Sequence, residues 1–449
     1  MIKQLLTLTF FFISISIYSQ SVGDMFVDNF ITYKITSTTN NTVETNNYDT
    51  AGGNSVNIPA TVANNSITYN VTKIGDFSFQ NKQLTSITVP NTITIIGNHS
   101  LRNNSITTFT IPDGVTSIGD FAFIADDLTT ISIPNTVASI GQYAFSNNDL
   151  TNVTMTNSVS SIGAFAFREN NITDFANVTL SNAITTIPEG CFMNNSITNL
   201  PIPNTITTIV KDAFRGNQLT TITIPNGVTT IGSSAFADNQ LTNITIADSV
   251  TNFEDYVFGN NNISDFTNVS LPSTMTSIPE SCFRNNQITN LIIPNTITIV
   301  GNQAFRGNQM VSVTIPNSVT TIELGAFILN QLTDVTIPDS VVDIGDRAFF
   351  INELTNVTLG SGLTTIGESA FRDNNLTAVT IPNNVTSISA SAFNDNPLTS
   401  VTSANTTPPT ITTGGSTDTF SSNRSTIDLI IPSGTTASYT TDSGALWTG

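Results

Sequence analysis

The chain has 449 residues, long enough for two or three ordinary domains, yet only 10% of them are charged. Thirteen basic side chains face 32 acidic ones, a net charge of −19, which disfavours nucleic acid and anionic membrane surfaces as partners. One histidine and two cysteines leave little from which to build a nucleophilic or metal centre.

Taken in order, the first segment is residues 1–19, where Lys3 precedes the apolar run LLTLTFFFISISIY. It reads as a signal peptide cleaved near Ser19-Gln20, and it is too short for a confident membrane span. No second such stretch occurs, so a mature chain exported without membrane insertion is expected. Residues 20–54 read as an N-terminal β cap. Phe30–Thr36 alternates like a strand, and Asn41–Asp49 is its expected partner.

From residue 55 to 402 the sequence repeats. The core Phe of an Ala-Phe pair recurs at Phe79, Phe123, Phe145, Phe167, Phe192, Phe214, Phe236, Phe258, Phe283, Phe305, Phe327, Phe349, Phe371 and Phe393, with Leu101 standing in once. The spacing is 22, except for two steps of 25, and the units number fifteen. A fixed period in this range marks a solenoid, which grows by coils and has no size limit from a single core.

The unit Leu128–Asp149 shows the logic. Ile131-Ser132-Ile133 alternates as a strand, and Pro134-Asn135 stops it because Pro has no N–H to donate. Val137–Ile140 is a second short extended piece. Gly141 bends the chain, and Gln142–Ser146 is expected to form one helical or 3₁₀ turn. Asn148 closes the coil. An Asn stands three residues after the core position in thirteen of fifteen units, with Lys82 and Asp126 the exceptions. A side-chain amide both donates and accepts, so Asn148, Asn170, Asn217, Asn239, Asn308 and Asn330 are expected to form a structural ladder between coils.

The two 25-residue units carry the insertions Ile172–Leu180 and Ile263–Leu271 and the flanks IPEGCF and IPESCF, pointing to duplication of a four-coil block. Cys191 and Cys282 precede the core Phe in those units. Four coils of about 4.8 Å separate them by roughly 19 Å, beyond the ~7 Å reach of a disulfide, so buried free thiols are expected. Residues 403–426 are rich in Thr, Ser, Pro and Gly and read as loop. Residues 427–449 read as a C-terminal cap or half-repeat, with Tyr439 and Trp447 as its core.

These units resemble the leucine-rich repeats of the BspA-like family, which read roughly L-T-S-I-x-I-P-x-S-V-T-S-I-G-x-x-A-F. The resemblance covers residues 55–402 and implies a mainly β solenoid: a right-handed leucine-rich-repeat superhelix of about fifteen 22-residue coils closed by β caps. It also implies a bacterial protein, secreted or on the cell surface, that works by adhesion or protein binding on the strand face.

Three outward columns are candidates for contact. Two lie on the first strand and include Thr108, Thr110, Thr130, Ser132, Asn152, Thr154, Thr221, Thr223, Asn243 and Thr245. Rows of Thr also simply suit strands. The third directly follows the core position: Arg102, Arg168, Arg215, Arg284, Arg306 and Arg372. Arginine grips carboxylates bidentately, but Glu169 and Asp373 lie nearby to neutralise part of the column. His99 reads as a surface residue in a turn. Asp339, Asp343 and Asp346 lie close in sequence, as a weak Ca²⁺ site would require, yet each stands at an ordinary outward position. No metal, no cofactor and no catalytic set is expected. The expected function is an exported, monomeric scaffold for an extracellular protein. The alternative is a carbohydrate-binding surface protein, which a scarcity of exposed aromatic side chains disfavours.

Overall fold

The computed structural model describes residues 19–175, 178–413, 415–420, 426–440 and 447; the expected signal peptide lies almost wholly outside them. The chain is a β solenoid, and among the described residues its single α-helix is Thr436–Thr440.

Each coil contributes two short strands because apolar side chains alternate twice within 22 residues. In Thr130–Ile133, Ile131 and Ile133 are buried while Thr130 and Ser132 face out. This strand pairs in parallel, residue for residue, with Asn152–Met155 of the next coil. The Pro134 carbonyl accepts from the Val137 N–H and closes the turn. The second strand, Ser139–Ile140, pairs with Ser117–Ile118 below and Ser161–Ile162 above.

The core is a stack of rings. From Phe123 to Phe420, fourteen Phe rings lie face to face one coil apart, with centroids separated by 5.2–6.0 Å. Each is almost fully removed from water, which contributes about 1.5–3 kcal/mol per side chain.

The expected helical turn is absent. Tyr143 and Asn147 instead adopt left-handed backbone, with φ of 54° and 56°, and bracket the core Phe145. The same two positions are left-handed in every repeat coil from Phe77 and Asn81 to Ser391 and Asp395. With the backbone so turned, the Tyr143, Phe145 and Asn147 N–H groups all donate to carbonyls of the next coil, those of Ala164, Ala166 and Arg168. These bonds alternate with turn bonds inside the segment, where the Ala144 N–H donates to the Gly141 carbonyl and the Ser146 N–H to that of Tyr143.

The two 25-residue coils are wedges. Pro188 and Pro279 occupy the position of Gly141, whose N–H donates to Ile118 of the preceding coil. Lacking that N–H, the prolines end the second-strand sheet at Ser161–Ile162 and at Asn252–Phe253, and new sheets start at Thr186–Ile187 and Ser277–Ile278. On the opposite side the inserted Phe175 and Phe266 enter the core edge-on, Phe175 against Phe192 and Phe214, Phe266 against Phe283 and Phe305. The described part of each insertion is therefore anchored inward.

The two ends compare differently with expectation: the expected N-terminal strand pair forms, and the expected C-terminal loop does not. At the N-terminus, Met25–Asp28, Ile31–Ser37 and Thr42–Tyr48 pair antiparallel, and the last runs parallel to Ile67–Ile74. These strands begin the nine-stranded sheet that continues to Ser161–Ile162. At the C-terminus, the segment read as loop forms a further coil. Thr410–Ile411 pairs with Ser387–Ile388, and Phe420 extends the ring stack. Tyr439 and Trp447 pack over it. The Tyr439 hydroxyl donates to the Asn405 carbonyl at 2.9 Å, and the Trp447 Nε1 donates to that of Pro409 at 2.8 Å. Both cysteines are free and buried, and burial pushes their thiols well above the ordinary range.

Candidate binding surface

The Asn row lies inside the solenoid. The Asn148 Oδ1 accepts from the Leu128 N–H at the start of its own unit at 3.1 Å, and its Nδ2 donates to the carbonyls of Phe123 in the preceding unit and Phe145 in its own at 2.8 and 3.2 Å. Asn170, Asn217, Asn239, Asn308 and Asn330 repeat this pattern. Each amide bonds two coils, so no polar atom of the row is left for a ligand. Asp126 breaks the pattern. Its Oδ1 accepts from the Asn104 N–H at 3.0 Å, while Oδ2 is buried without a partner. Burial raises its pKa to about 8. A protonated carboxyl there would supply the donor that the amide supplies elsewhere.

The first-strand columns are open to solvent. Thr108, Thr110, Thr130, Ser132, Asn152, Thr154, Thr221, Thr223, Asn243 and Thr245 are all exposed. Neighbours bond along a column, as the Thr154 hydroxyl does to Ser132 at 3.1 Å. Thr108 and Thr110 lie where no regular strand forms; the other eight sit in paired strands.

The Arg column is half neutralised. Arg168 pairs with Glu169 at 2.6 Å, Arg215 with Asp238 at 2.7 Å and Asp212 at 3.5 Å, and Arg372 with Asp395, instead of Asp373, at 2.8 Å. Arg102 bonds His99, Arg306 bonds Gln303, and the Arg284 Nε is buried without a partner. Among the described residues these three have no carboxylate partner.

A fourth column escaped the sequence reading. Phe77, His99, Phe121, Tyr143 and Phe165 stand at the left-handed position two residues before the core, in five successive coils. Their rings stack with centroids 4.6–5.0 Å apart and planes within 12° of parallel. They form a second ring ladder on the outside of the solenoid, 55% exposed at Phe77 and half-buried thereafter. Exposed aromatic side chains are few, as expected, but half-buried ones are gathered in this column. His99, read as a surface residue in a turn, lies half-buried between the rings of Phe77 and Phe121. Burial and the nearby Arg102 lower its pKa. The ladder ends at Gly190, where a Cβ would overlap the Phe165 ring. The signal was present as a second aromatic residue in DFSF, DFAF, QYAF and AFAF.

Beside the ladder runs a groove of about 350 Å³, lined by Asn81, Arg102, Asn103, Tyr143, Asn147 and Arg168 among others. Another of about 350 Å³ opens at the proline break, between Phe253, Met275 and Pro279. Among the described residues no group of three metal-ligating side chains occurs, around Asp339, Asp343 and Asp346 or elsewhere.

A model of the BspA type leucine-rich repeat region matches residues 54–173, 141–264, 185–310 and 276–399, well over half of the chain. The chain belongs to this family. Leucine-rich repeats of this kind are scaffolds generally used for protein–protein interaction. A leucine-rich repeat protein from Bacteroides ovatus ATCC 8483 is 26% identical, with a TM-score of 0.65 over 80% of this chain and 95% of that one. A leucine-rich cell surface protein of Faecalibacterium prausnitzii A2-165 is 23% identical over 95% and 98%, with a TM-score of 0.39. The pneumococcal vaccine antigen PcpA is 16% identical over 92% and 100%, with a TM-score of 0.49. No curated protein sequence matches the chain significantly. No described helix is long and apolar enough to cross a membrane.

Proposed function

We propose that this BspA-type chain is an exported, non-catalytic scaffold of the bacterial surface or its surroundings, binding an extracellular protein as an adhesin does. The contacts are the strand face around Thr130, Thr221, Thr223 and Asn243 and the Arg edge at Arg168, Arg215, Arg284 and Arg306. The observation that carries this reading is the division of labour within the coil. The Phe and Asn columns are consumed by the fold, while the Thr, Asn and Arg columns face out over the array. Export rests on the segment Met1–Ser19 and on the family. Catalysis is disfavoured because the one imidazole, His99, is stacked between two rings.

Binding to immobilised fibronectin, laminin and collagen, run beside a glycan array, tests the proposal. Saturable binding to a protein, weakened by Thr221→Glu with Thr223→Glu or by Arg284→Glu, is expected. Binding to glycans alone, lost when strand-face Asn152 and Asn243 become Ala, would establish the carbohydrate alternative instead.

A further inference from the structure

The outer ring ladder is more than the coil requires. Phe77, His99, Phe121, Tyr143 and Phe165 hold φ of 51–60°, a region that bulky side chains enter reluctantly and that suits Gly, Asn and Asp. Later coils fill the same position with residues such as Gly190, Asp212 and Ser234, with Tyr256 a single aromatic outside the ladder, and the inner ring stack continues through them unchanged. Stacking returns part of the cost, but the fold does without these rings over most of its length.

The ladder's geometry limits what it can hold. Rings stacked face to face cover one another's faces and present their edges, the positive end of the aromatic quadrupole. A pyranose packs its C–H face on a ring face, and here only the outer face at Phe77 is uncovered. Ring edges suit carbonyl oxygens, carboxylates and the faces of other aromatic rings. On one flank Arg102 has no carboxylate partner, and the Arg168 guanidinium lies 6.0 Å from the Phe165 ring centre. On the other flank Asp76 and Asp120 are occupied in accepting backbone N–H groups from Asn98 and Gln142 at 3.1 and 2.7 Å. Arg168 already pairs with Glu169 and Asp76 with Lys73, so Arg102 is the cation of this strip that has no carboxylate partner among the described residues.

We propose that the ladder and its Arg flank form a docking strip for an extended protein segment in which carboxylates alternate with aromatic side chains. The segment lies along the solenoid axis, its rings on the ladder edges and its carboxylates toward Arg102. This rests on the protein-binding reading above and moves its strongest contact from the strand face to the turn edge of the first five coils.

Fluorescence anisotropy with the full chain tests it, using labelled 15-residue peptides of alternating Glu-Tyr, Glu-Ser and Lys-Tyr, with polygalacturonate as an acidic glycan. Glu-Tyr should bind at least tenfold tighter than the other two peptides and resist polygalacturonate. Phe121→Ser with Tyr143→Asn should weaken it at least tenfold and Arg102→Gln about threefold, while Glu353→Gln, exposed and outside both candidate surfaces, leaves it unchanged; Thr221→Ala with Thr223→Ala is the competing strand-face variant. Should the ladder double variant fail to fold, Phe77→Ser at the exposed end carries the same expectation. Equal binding of Glu-Ser, tighter binding of Lys-Tyr, or indifference to a folded ladder variant overturns the strip. Glu-Tyr binding lost only with the strand-face variant overturns the strip and leaves the scaffold reading standing. Displacement by polygalacturonate overturns both.

Discussion

The first five repeat coils and the coils after Gly190 share one backbone and differ in one outward column. At the left-handed position before the core, the former carry Phe77, His99, Phe121, Tyr143 and Phe165, while Gly190, Asp212 and Ser234 open the latter. Inside, Phe145 and Phe214 are equally buried, and Asn148 and Asn217 make the same three bonds. The difference teaches that the coil is specified from within. A side chain at the outer position varies without moving the ladder of carbonyls and amides beneath it.

The largest effect should be the same in both regions. Phe145→Ala and Phe214→Ala each remove one ring from a continuous stack and leave a cavity, and each is expected to cost about 3–5 kcal/mol in chemical denaturation. A marked inequality between them would break the comparison. Next come Asn148→Ala and Asn217→Ala, which strand buried carbonyls and a buried N–H; about 2–4 kcal/mol is expected for each, read as a lowered midpoint.

Asp126 sharpens the comparison, since it places a carboxyl in the amide row. Its folded-state pKa of about 8 exceeds that of the unfolded chain, which ionises near pH 4. The folded protein therefore holds a proton that the unfolded chain has released, and stability falls as pH rises from about 4 to about 8. Asp126→Asn should melt with the parent at pH 4 and stand above it at pH 8, by about 1–3 kcal/mol. Scanning calorimetry at the two pH values checks this. The smallest effect belongs to the strand face, where Thr223→Ala should shift stability by no more than about 0.5 kcal/mol.

Much of this was legible in the sequence because the inward columns repeat residue types that only one environment explains. Phe at a fixed period must be core, and Asn in thirteen of fifteen units must be bonding backbone. The left-handed turn was legible only in part. At its first position, residues such as Phe77, Tyr143 and Gln303 give no sign of positive φ, and bonds to the next coil impose it; at its second, the run of Asn81, Asn147, Asn194, Gly216 and Asp238 was a signal that went unread. The coil after Thr402 was hidden because its ring, Phe420, comes 27 residues after Phe393 and breaks the period. The two sheet breaks were legible but overlooked, as Pro188 and Pro279 stand in the place of a donor. The outer ladder went unread because a second aromatic residue beside a core Phe looks like more core.

One pair of substitutions in a single coil tests the claim that the inner columns hold the fold and the outer ones are free. Asn148→Ala and Tyr143→Asn lie five residues apart, and urea unfolding of the two can be compared directly. The inner change should lose about 2–4 kcal/mol. The outer change should stay within about 1 kcal/mol of the parent, because Asn suits the left-handed backbone that Tyr143 occupies and offsets the lost stacking. If Tyr143→Asn destabilises the protein as much as Asn148→Ala, the ladder is part of the fold and the division between the columns is wrong.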